Sequence, residues 1–578
     1  MQLTRSFILA SSLSCLSLLA AAQHQLTSTS HPQQDANAQA PSPTSSTKKS
    51  IRLPTKKILL PAVQESILRP HLAYLSDDLL EGRGTGQRGG DLTVRYLETQ
   101  AALIGLSSLF PQQAFPYRHP VQIVGSMTLP DSHIEFQMAG KTFAPQLGVE
   151  ILIANSNGRE HVAFDAPLVF VGYGVSAPEE DWDDYKGIDV KGKVVVMMVN
   201  DPQPTATEPK RFGGAAMTYY GRWVYKYEEA ARRGAAGVLL IHTTASAAYG
   251  WNVPQASFSH ERFSLAGGGN PMEGWWAEAS IQSVFAEAGL NLNVMRAQAE
   301  RRDFLPIPLP LQAKVQLRSV VRQVEQFNIV GVVPGTDPEL KKQAIVYSSH
   351  WDHLGKVEEP GKPAQIWNGA VDNATGAAAL LAMAQVAVQH PAKRSQIFLW
   401  PAAEEQGLIG SLAYVRNPAW PLAQTVADLN LDSMNFVGKT KDVGIAGSER
   451  SSLFESAKHV ATQMNLKIAK SVPDLGGAYY RADHFNFARA GVPAFSVGSA
   501  VFSGDGHFEF SEHATSAERK MKAFKSDYHT VNDRYDAAWD LAGMLQQAQF
   551  TLNLGYLIAN DKALPRWKKG DPYGLIKR

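Results

Sequence analysis

Apolar residues recur at helical spacing in the first regular part of the chain. Residues 65–75 and 92–106 place apolar side chains three and four positions apart, which predicts two amphipathic helices. Gly105 stands where the second helix should end, because glycine adopts the left-handed conformation that closes many helices. The Gly- and Asp-rich residues 77–86 predict a loop, and short alternating stretches follow to about residue 143.

A different pattern follows, in which short apolar runs are bounded by Gly, Pro and Asp. Residues 168–174, 193–199 and 237–241 are such runs and predict buried strands, whereas residues 225–233 have helical spacing. We therefore expect residues 161–312 to form a smaller, strand-rich domain that is inserted into a larger one.

From residue 313 onward, apolar strands alternate with helices. This alternation predicts an α/β domain with a mostly parallel central sheet and helices on both faces. The domain is expected to combine residues 59–160 with residues 313–565. The predicted strands are 327–333, 344–348, 396–400, 426–431 and 494–497, and the predicted helices are 374–389, 408–415, 453–464 and 540–558.

The amino terminus has the features of a signal peptide. Arg5 supplies a positive charge, residues 7–19 are mostly apolar, and three alanines precede Gln23. The apolar stretch is interrupted by serines and is shorter than the roughly 20 residues of a membrane helix, so no transmembrane segment is expected in the mature chain. We expect residues 1–22 to be removed on export to the periplasm or the extracellular space. Residues 23–58 are rich in Gln, Ser, Thr and Pro and predict a disordered linker.

Composition excludes several classes of function. The 578 residues include 55 basic and 54 acidic side chains, a net charge of +1, so no basic field is present for binding nucleic acid. Cys15 is the only cysteine and lies in the predicted signal peptide, where a lipoprotein anchor is a minor alternative. The mature chain should therefore have no disulfide, no thiolate nucleophile and no cysteine-bound metal. Any metal must be bound by His, Asp and Glu.

Acidic residues and histidines cluster around the predicted strand ends of the α/β domain. In an open α/β sheet, ligand sites lie outside the carboxyl ends of the strands. Each residue alone is compatible with a turn or a helix cap, but their joint occurrence at one edge indicates a site. The residues are His350 and Asp352 after strand 344–348, Glu404 and Glu405 after strand 396–400, Asp432 after strand 426–431, Asp372 before helix 374–389, and Tyr528 and His529 before the last helix.

This combination of side chains predicts a metal site. Several carboxylates packed together repel one another, and divalent cations remove that repulsion. His and carboxylate ligands without thiolates suit catalytic zinc, which keeps one coordination position open for water. Five ligands are enough for two zinc ions if one carboxylate binds both. Two metal ions about 3.5–4 Å apart can activate a shared water molecule and polarise a carbonyl group.

The residues of this site lie in six short motifs: SHWDHLG at 349–355, VDNATG at 371–376, AEEQGLIGS at 403–411, NLDSM at 430–434, ADHF at 482–485 with AGVP at 490–493, and YHT at 528–530. These motifs resemble those of the co-catalytic zinc aminopeptidases, whose fold is shared by glutamate carboxypeptidase II, glutaminyl cyclase and the transferrin receptor ectodomain. The resemblance extends over about residues 65–560 and implies a zinc-dependent exopeptidase fold. Residues 168–202 and 234–241 resemble the protease-associated domain that some members insert.

The resemblance implies a metal ligand set of five residues and two zinc ions. Asp372 would bridge the two ions. His350 and Asp432 would complete one zinc site, and Glu405 and His529 would complete the other.

Three further residues are implied to take part in catalysis. Asp352 would hold the His350 imidazole in the required tautomer. Glu404 would act as general base and acid, and Tyr528 would stabilise the developing oxyanion with its hydroxyl group. Adjacent residues at a strand end point in opposite directions, so Glu405 can face the metal while Glu404 faces the water.

Other residues near these motifs have less specific interpretations. Asp483 and His484 match the family's pattern at positions that are not metal ligands, so a structural or pocket-lining role is expected. His353 is expected either to support a metal ligand or to face solvent, and the second is favoured. Residues 500–525 depart from the family's pattern and are expected to line the substrate entrance.

The resemblance favours an aminopeptidase, which acts on peptides with a free amino terminus, over three alternatives. A glutaminyl cyclase on the same fold would need one zinc ion. A carboxypeptidase or dipeptidase would need an arginine cluster for a substrate carboxylate, and Arg481 is one candidate without an evident partner in the sequence. A non-catalytic, receptor-like binding module should have lost metal ligands.

The sequence leaves the oligomeric state open, and the inserted segment is expected either to control substrate access or to act as a structural buttress.

Overall fold

The structure is a computed structural model that describes residues 60–247, 249–358, 361–469, 473–498, 509–511 and 514–578. The predicted signal peptide with Cys15, and the predicted linker, lie outside these residues. So do residues 500–508 and 512–513 of the segment that departs from the family's pattern.

Strands and helices alternate through most of the described chain. The strands are β1 (Ser107–Ser108), β2 (Arg118–Thr128), β3 (His133–Met138), β4 (Lys141–Phe143), β5 (Ile151–Ala154), β6 (His161–Phe170), β7 (Ser176–Ala177), β8 (Trp182–Asp183), β9 (Val194–Met198), β10 (Gly237–His242), β11 (Arg262–Leu265), β12 (Glu273–Ala277), β13 (Ile307–Val333), β14 (Ala344–Ser348), β15 (Gly355–Val357), β16 (Gln365–Trp367), β17 (Ser395–Trp400), β18 (Thr425–Leu431), β19 (Asp442–Val443), β20 (Lys467–Ile468) and β21 (Ala494–Val497). The helices are α1 (Glu65–Leu75), α2 (Arg88–Ile104), α3 (Trp223–Arg232), α4 (Thr244–Ala247), α5 (Asn252–Phe258), α6 (Glu278–Glu287), α7 (Leu292–Ala299), α8 (Thr375–Gln389), α9 (Ile409–Arg416), α10 (Leu453–Gln463), α11 (His484–Arg489), α12 (Ala514–Asp527) and α13 (Ala542–Asn560).

Four parallel strands form the part of the sheet that carries the predicted site. Their order is β21, β18, β14 and β17, and every pair of neighbours is parallel. Alternate residues of β14 pack on opposite faces, Tyr347 against the helices α1, α8 and α13, and Val346 against α9 and α11. The predicted α/β class with helices on both faces is therefore confirmed.

The long strand β13 connects this part of the sheet with the rest. Its first half pairs antiparallel with β3 and β6, its middle with β2, and its last residues with β17. Buried and exposed residues alternate along most of the strand, and then the last six residues, from Asn328 to Val333, are all buried. This change marks where the strand passes from a part of the sheet with one solvent-exposed face to the parallel part, in which both faces are buried. The predicted boundary between residues 312 and 313 lies within this strand.

The segment predicted to be inserted has a core of its own. Its strands β6, β9, β10 and β12 are parallel neighbours, and β5 closes the edge in antiparallel orientation. Phe136 of β3 stacks on Trp276 of β12 with ring centroids 4.2 Å apart, so strands that precede residue 161 contribute to the same core. Its assignment as an inserted domain, with the boundaries given above, stays a prediction.

Two local differences from the sequence-based expectations concern the amino-terminal helices. The helix α2 begins at Arg88, before the predicted residue 92, and ends at Gly105 in the left-handed conformation as predicted. The predicted loop at 77–86 contains short 3-10 turns within Asp78–Arg83, which are interrupted by the left-handed backbone of Glu81 and Gly82, and the Asp77 side chain caps the first turn through the Leu79 amide. The sequence offers one capping residue here, and one cap does not distinguish a short 3-10 turn from an irregular loop.

One stretch of the described chain, Ala370–Gln389, is long and apolar enough to cross a membrane by length and composition. Its apolar window is 89% buried inside the protein, because the helix α8 packs between the parallel sheet and the helices α1 and α13. Its apolar composition is accounted for by this position in the core.

Candidate metal centre

The predicted site residues come together at the carboxyl edge of the parallel strands. His350 follows β14, Asp432 follows β18 directly, and Glu404 and Glu405 follow β17. The turn before α8 supplies Asp372, and the loop after α12 supplies His529 and Tyr528. The parallel strands end at one edge of the sheet, so residues that are distant in sequence become neighbours there.

One group of donor atoms surrounds His350. Its Nε2 atom lies 3.4 Å from an oxygen of Asp372 and 3.4 Å from an oxygen of Asp432. The imidazole is buried, and Nε2 has no hydrogen-bond partner within hydrogen-bonding geometry among the described residues. A buried ring nitrogen that points between two carboxylates has the arrangement of a metal ligand.

A second group surrounds His529. Its Nε2 atom lies 3.0 Å from the other oxygen of Asp372 and 3.2 Å from an oxygen of Glu405. The two oxygens of Asp372 therefore face two different histidines. The structure thus brings together all five residues for which metal binding was predicted.

The donor atoms and their spacing fit zinc. Ligand atoms placed about 2.0–2.1 Å from a tetrahedral zinc ion are roughly 3.3–3.4 Å from one another. The His350 distances of 3.4 Å match this spacing, and the His529 distances of 3.0 and 3.2 Å are slightly shorter. Nitrogen and carboxylate oxygen donors without sulfur are those of catalytic zinc sites.

The electrostatics of the site also require cations. Burial raises the pKa of Glu404 well above its usual range, and the neighbouring carboxylates of Asp432 and Glu405 add to this effect. Burial raises the pKa of Asp432 as well. In contrast, the imidazoles of His350 and His529 beside it hold the pKa of Asp372 well below its usual range despite its burial. Acids that are crowded in this way need divalent cations if all of them are to be ionised at neutral pH.

Asp352 contacts the site in a different way from the one that the resemblance implies. Its carboxylate accepts hydrogen bonds from the backbone amides of Glu404 at 2.9 Å and Glu405 at 3.4 Å. The carboxylate lies 3.8 Å from His350 Nδ1, and the backbone carbonyl of Asp352 is closer to that nitrogen, at 3.2 Å. Asp352 therefore fixes the loop with both glutamates, and its main chain accepts the hydrogen bond that orients the imidazole.

Tyr528 packs beside the second group of ligands. Its ring stacks on the imidazole of His529 with centroids 3.9 Å apart, and the Phe524 ring lies edge-on to it with centroids 6.3 Å apart. Burial raises the pKa of the Tyr528 hydroxyl well above its usual value, and the carboxylates of Asp372 and Glu405 add to the shift. The hydroxyl therefore stays protonated and able to donate a hydrogen bond.

His353 was expected to face solvent, and this expectation is wrong. Its side chain is fully buried, and its Nδ1 atom lies 2.6 Å from an oxygen of Glu405. The donor atoms of His353, Asp372 and Glu405 form one compact group, as do those of His350, Glu404 and Asp432. The backbone amide of His353 donates to the carbonyl of Arg83 at 3.4 Å, a contact that the local sequence does not predict.

Two further residues that sequence reasoning missed hold the ligand-bearing turns. Asp533 is buried and accepts hydrogen bonds from the backbone amides of Val371 and Asp372 at 2.8 and 3.0 Å. Arg83 is buried and donates to the backbone carbonyls of Trp351 and Gly369 at 2.7 and 2.8 Å. Neither Asp533 nor Arg83 belongs to a recognised motif. Their roles could not be predicted from the sequence, because their partners are backbone groups of distant segments.

Asp483 and His484 are both buried, but neither belongs to the two groups of donor atoms found among the described residues. Burial lowers the pKa of His484 to about 3, so the ring is neutral. Burial raises the pKa of Asp483 to about 6. The expected structural or pocket-lining role of both residues stays a prediction.

Residues 328–552 match the model of peptidase family M28. The match spans the strands β14, β17, β18 and β21 and all of the candidate ligands. It confirms the resemblance to the co-catalytic zinc aminopeptidases that the motifs indicate.

Individual relatives match parts of the chain. The probable leucine aminopeptidase of Arthroderma otae is 29% identical over 192 residues, which are 31% of this chain and 48% of the relative. Leucine aminopeptidase 1 of Trichophyton equinum is 24% identical over 232 residues, 38% of this chain and 55% of the relative. The aminopeptidase from Aneurinibacillus sp. strain AM-1 aligns over 87% of this chain and 96% of its own, with 17% identity and a TM-score of 0.47. The chain thus spans about half the length of the curated relatives it matches.

The contact between His353 and Glu405 predicts an effect on metal affinity. The substitution His353→Ala should lower the affinity for zinc about 10- to 100-fold, because Glu405 loses the hydrogen bond that orients its carboxylate. Equilibrium competition with a zinc chelator measures the change. The control His133→Ala alters an exposed histidine on β3 and should leave the affinity unchanged. Equal affinities of His353→Ala and the unaltered protein would show that Glu405 does not depend on this contact.

Proposed function

We propose that this protein is a zinc metallo-aminopeptidase that removes residues from the free amino end of peptides with the help of two zinc ions. The observation that carries the proposal is the position of Asp372, whose two oxygens lie 3.4 Å from His350 Nε2 and 3.0 Å from His529 Nε2. One acid between two histidines is the arrangement that a pair of metal ions with a bridging ligand requires. The match to peptidase family M28 and the leucine aminopeptidase relatives support the same activity.

The mechanism assigns separate tasks to the residues around the metal ligands. The five ligands would hold two zinc ions, which would supply an activated water molecule and polarise the scissile carbonyl group when bound. Glu404 lies at the same cluster, with an oxygen 3.9 Å from His350 Nε2. It accepts the proton of the attacking water and returns it to the leaving amine.

Asp352 and Tyr528 support these steps. Asp352 binds the backbone amides of Glu404 and Glu405 and so keeps the proton acceptor and a metal ligand on adjacent positions of one rigid turn. The protonated hydroxyl of Tyr528 donates a hydrogen bond to the oxyanion that develops on the scissile carbonyl. Its stacking on His529 is consistent with a place beside the second metal ion.

Two of the three alternatives are less well supported by the same contacts. A one-zinc glutaminyl cyclase would not require histidines on both sides of Asp372, and here both are present. A receptor-like binding module would not require Glu404, which lies within the donor group of His350. These contacts favour a hydrolase with two metal ions.

The first test combines metal analysis with substrates. The purified protein should contain two zinc ions per chain, lose activity on chelation and regain it when zinc is added. It should hydrolyse leucyl-p-nitroanilide, and acetylation of the substrate amine should lower kcat/KM by about 10- to 100-fold or more, because a charged hydrogen-bond donor is lost. Equal rates with the free and acetylated substrates would contradict aminopeptidase activity.

The neighbouring glutamates provide a matched pair of variants. Glu404→Gln should keep both zinc ions and lower kcat about 10²- to 10⁴-fold, because proton transfer is lost. Glu405→Gln should lower the zinc content, because a ligand is lost. Zinc analysis and kcat on one preparation of each variant separate the two roles. A Glu404→Gln enzyme with the unaltered rate would exclude Glu404 as the proton acceptor.

Export is part of the proposal. It is supported by Arg5, the apolar residues 7–19 and the alanines before Gln23. Mass spectrometry of the protein recovered outside the cytoplasm should show a chain that begins at Gln23. Recovery only inside the cytoplasm, with residues 1–22 intact, would contradict it.

A further inference from the structure

The second group of donor atoms contains two histidines. Glu405 lies between them, with one oxygen 2.6 Å from His353 Nδ1 and the other 3.2 Å from His529 Nε2. The donor atoms of His353, Asp372 and Glu405 lie within 4.8 Å of one another, so they form a compact group without His529. The first group found among the described residues contains one imidazole, that of His350. An additional nitrogen donor therefore lies in the second group and not in the first.

His353 is fixed in the interior of the protein. Its side chain is fully buried, and a Cβ atom built on Gly369 would lie 2.4 Å from its Cγ atom, so the ring packs directly on the main chain there. Its backbone amide donates to the carbonyl of Arg83 at 3.4 Å, and the guanidinium of Arg83 donates to the carbonyl of Gly369 at 2.8 Å. These contacts keep the imidazole beside Glu405.

His529 is fixed less firmly. Its side chain is 35% exposed, and it lies in the loop after α12. The helix α12 packs through Ala517, Met521 and Phe524 on a small apolar cluster that is separate from the main core of the parallel sheet. Segments with few buried apolar contacts open more readily than the core. We therefore expect His529 to leave the metal group more readily than His353.

The contact between His353 and Glu405 can be converted into metal binding. Nδ1 and the Glu405 oxygen are at hydrogen-bonding distance, so a metal ion can replace the proton between them, and that proton leaves to solvent. Ligand atoms of a tetrahedral zinc ion are roughly 3.3 Å apart, so the contact must widen by about 0.7 Å. Departure of His529 permits this change, because it frees the other oxygen of Glu405 and allows the carboxylate to turn.

We propose that His353 is an alternative ligand of the second zinc ion, which it binds together with Asp372 and Glu405 when His529 is absent. The inference rests on the pair of zinc ions in the proposed function and adds a ligand to it. One imidazole nitrogen and two carboxylates form a three-ligand zinc site with a position open for water. While His529 is in place, His353 keeps its hydrogen bond to Glu405 and orients that carboxylate. The second ion therefore stays bound when His529 and α12 move.

Zinc binding by variants tests the alternative ligand. His529→Ala should still bind two zinc ions per chain, whereas His350→Ala should bind one, because the first group among the described residues has no second imidazole. The double variant His529→Ala/His353→Asn should bind the second ion more than about 100-fold more weakly than His529→Ala, which exceeds the effect of a residue that only orients a ligand. Asparagine is chosen because its amide can still donate a hydrogen bond to Glu405. Equilibrium competition with a zinc chelator measures the affinities.

The double variant His529→Ala/His133→Ala is the matched control. It replaces an exposed histidine on β3 as its second change and should bind zinc as His529→Ala does. His529 is itself partly exposed, so its replacement carries little risk of unfolding. Melting temperatures of the metal-free variants show whether folding is intact.

Cobalt substitution identifies the ligand directly. In the Co²⁺-loaded protein, each bound imidazole contributes one paramagnetically shifted N–H proton to the NMR spectrum. His353 Nε2 is buried and has no hydrogen-bond partner among the described residues, so its proton should exchange slowly with solvent. His529→Ala should show two such protons, from His350 and His353, and the variant that also carries His353→Asn should show one. A single shifted proton in His529→Ala would overturn the inference.

The metal measurements separate this inference from the proposed function. If His529→Ala keeps two zinc ions through His353 but the unaltered protein hydrolyses no amine substrate, the proposed function fails and the alternative ligand is still supported. If the unaltered protein is an active two-zinc aminopeptidase but His529→Ala binds one ion, the inference fails and the function stands. Equal affinities of His529→Ala and of its double variant with His353→Asn would also overturn the inference.

Discussion

The position of the Asp372 carboxylate between two histidines is the interaction on which the rest of the site depends. One oxygen faces His350 and the other faces His529, so a single side chain organises two groups of ligands. The turn that carries Asp372 is held in place by two residues that are not metal ligands. Asp533 binds its backbone amides, and Arg83 binds the carbonyl of Gly369 just before it. A buried acid and a buried cation thus fix the main chain, and the main chain fixes the bridging carboxylate.

The parallel sheet provides the remaining ligands because its strands end together. Asp432, His350 and Glu405 follow three neighbouring strands, β18, β14 and β17. The crowding of these acids is unfavourable in the folded chain without cations, as the raised pKa values of Glu404 and Asp432 show. The same group of carboxylates binds divalent cations, because a bound cation removes the repulsion between them.

The segment predicted to be inserted is tied closely to the peptidase region. The strand β13 runs without interruption from one to the other, and the loop of Met217 binds the loop of Asp474.

Local patterns in the sequence determined the elements and the ligands of this protein. The predicted helix 65–75 and the strands 344–348 and 494–497 have the same bounds in the structure, because apolar periodicity is a property of consecutive residues. Four of the five ligands could be found because each lies close to the end of a helix or strand that this periodicity identifies, whereas His529 was identified through the motif at 528–530. Only the tertiary structure placed His353 against Glu405 and Asp533 against the turn of Asp372. These contacts join segments far apart in the chain, and no local pattern records which distant group a side chain will meet.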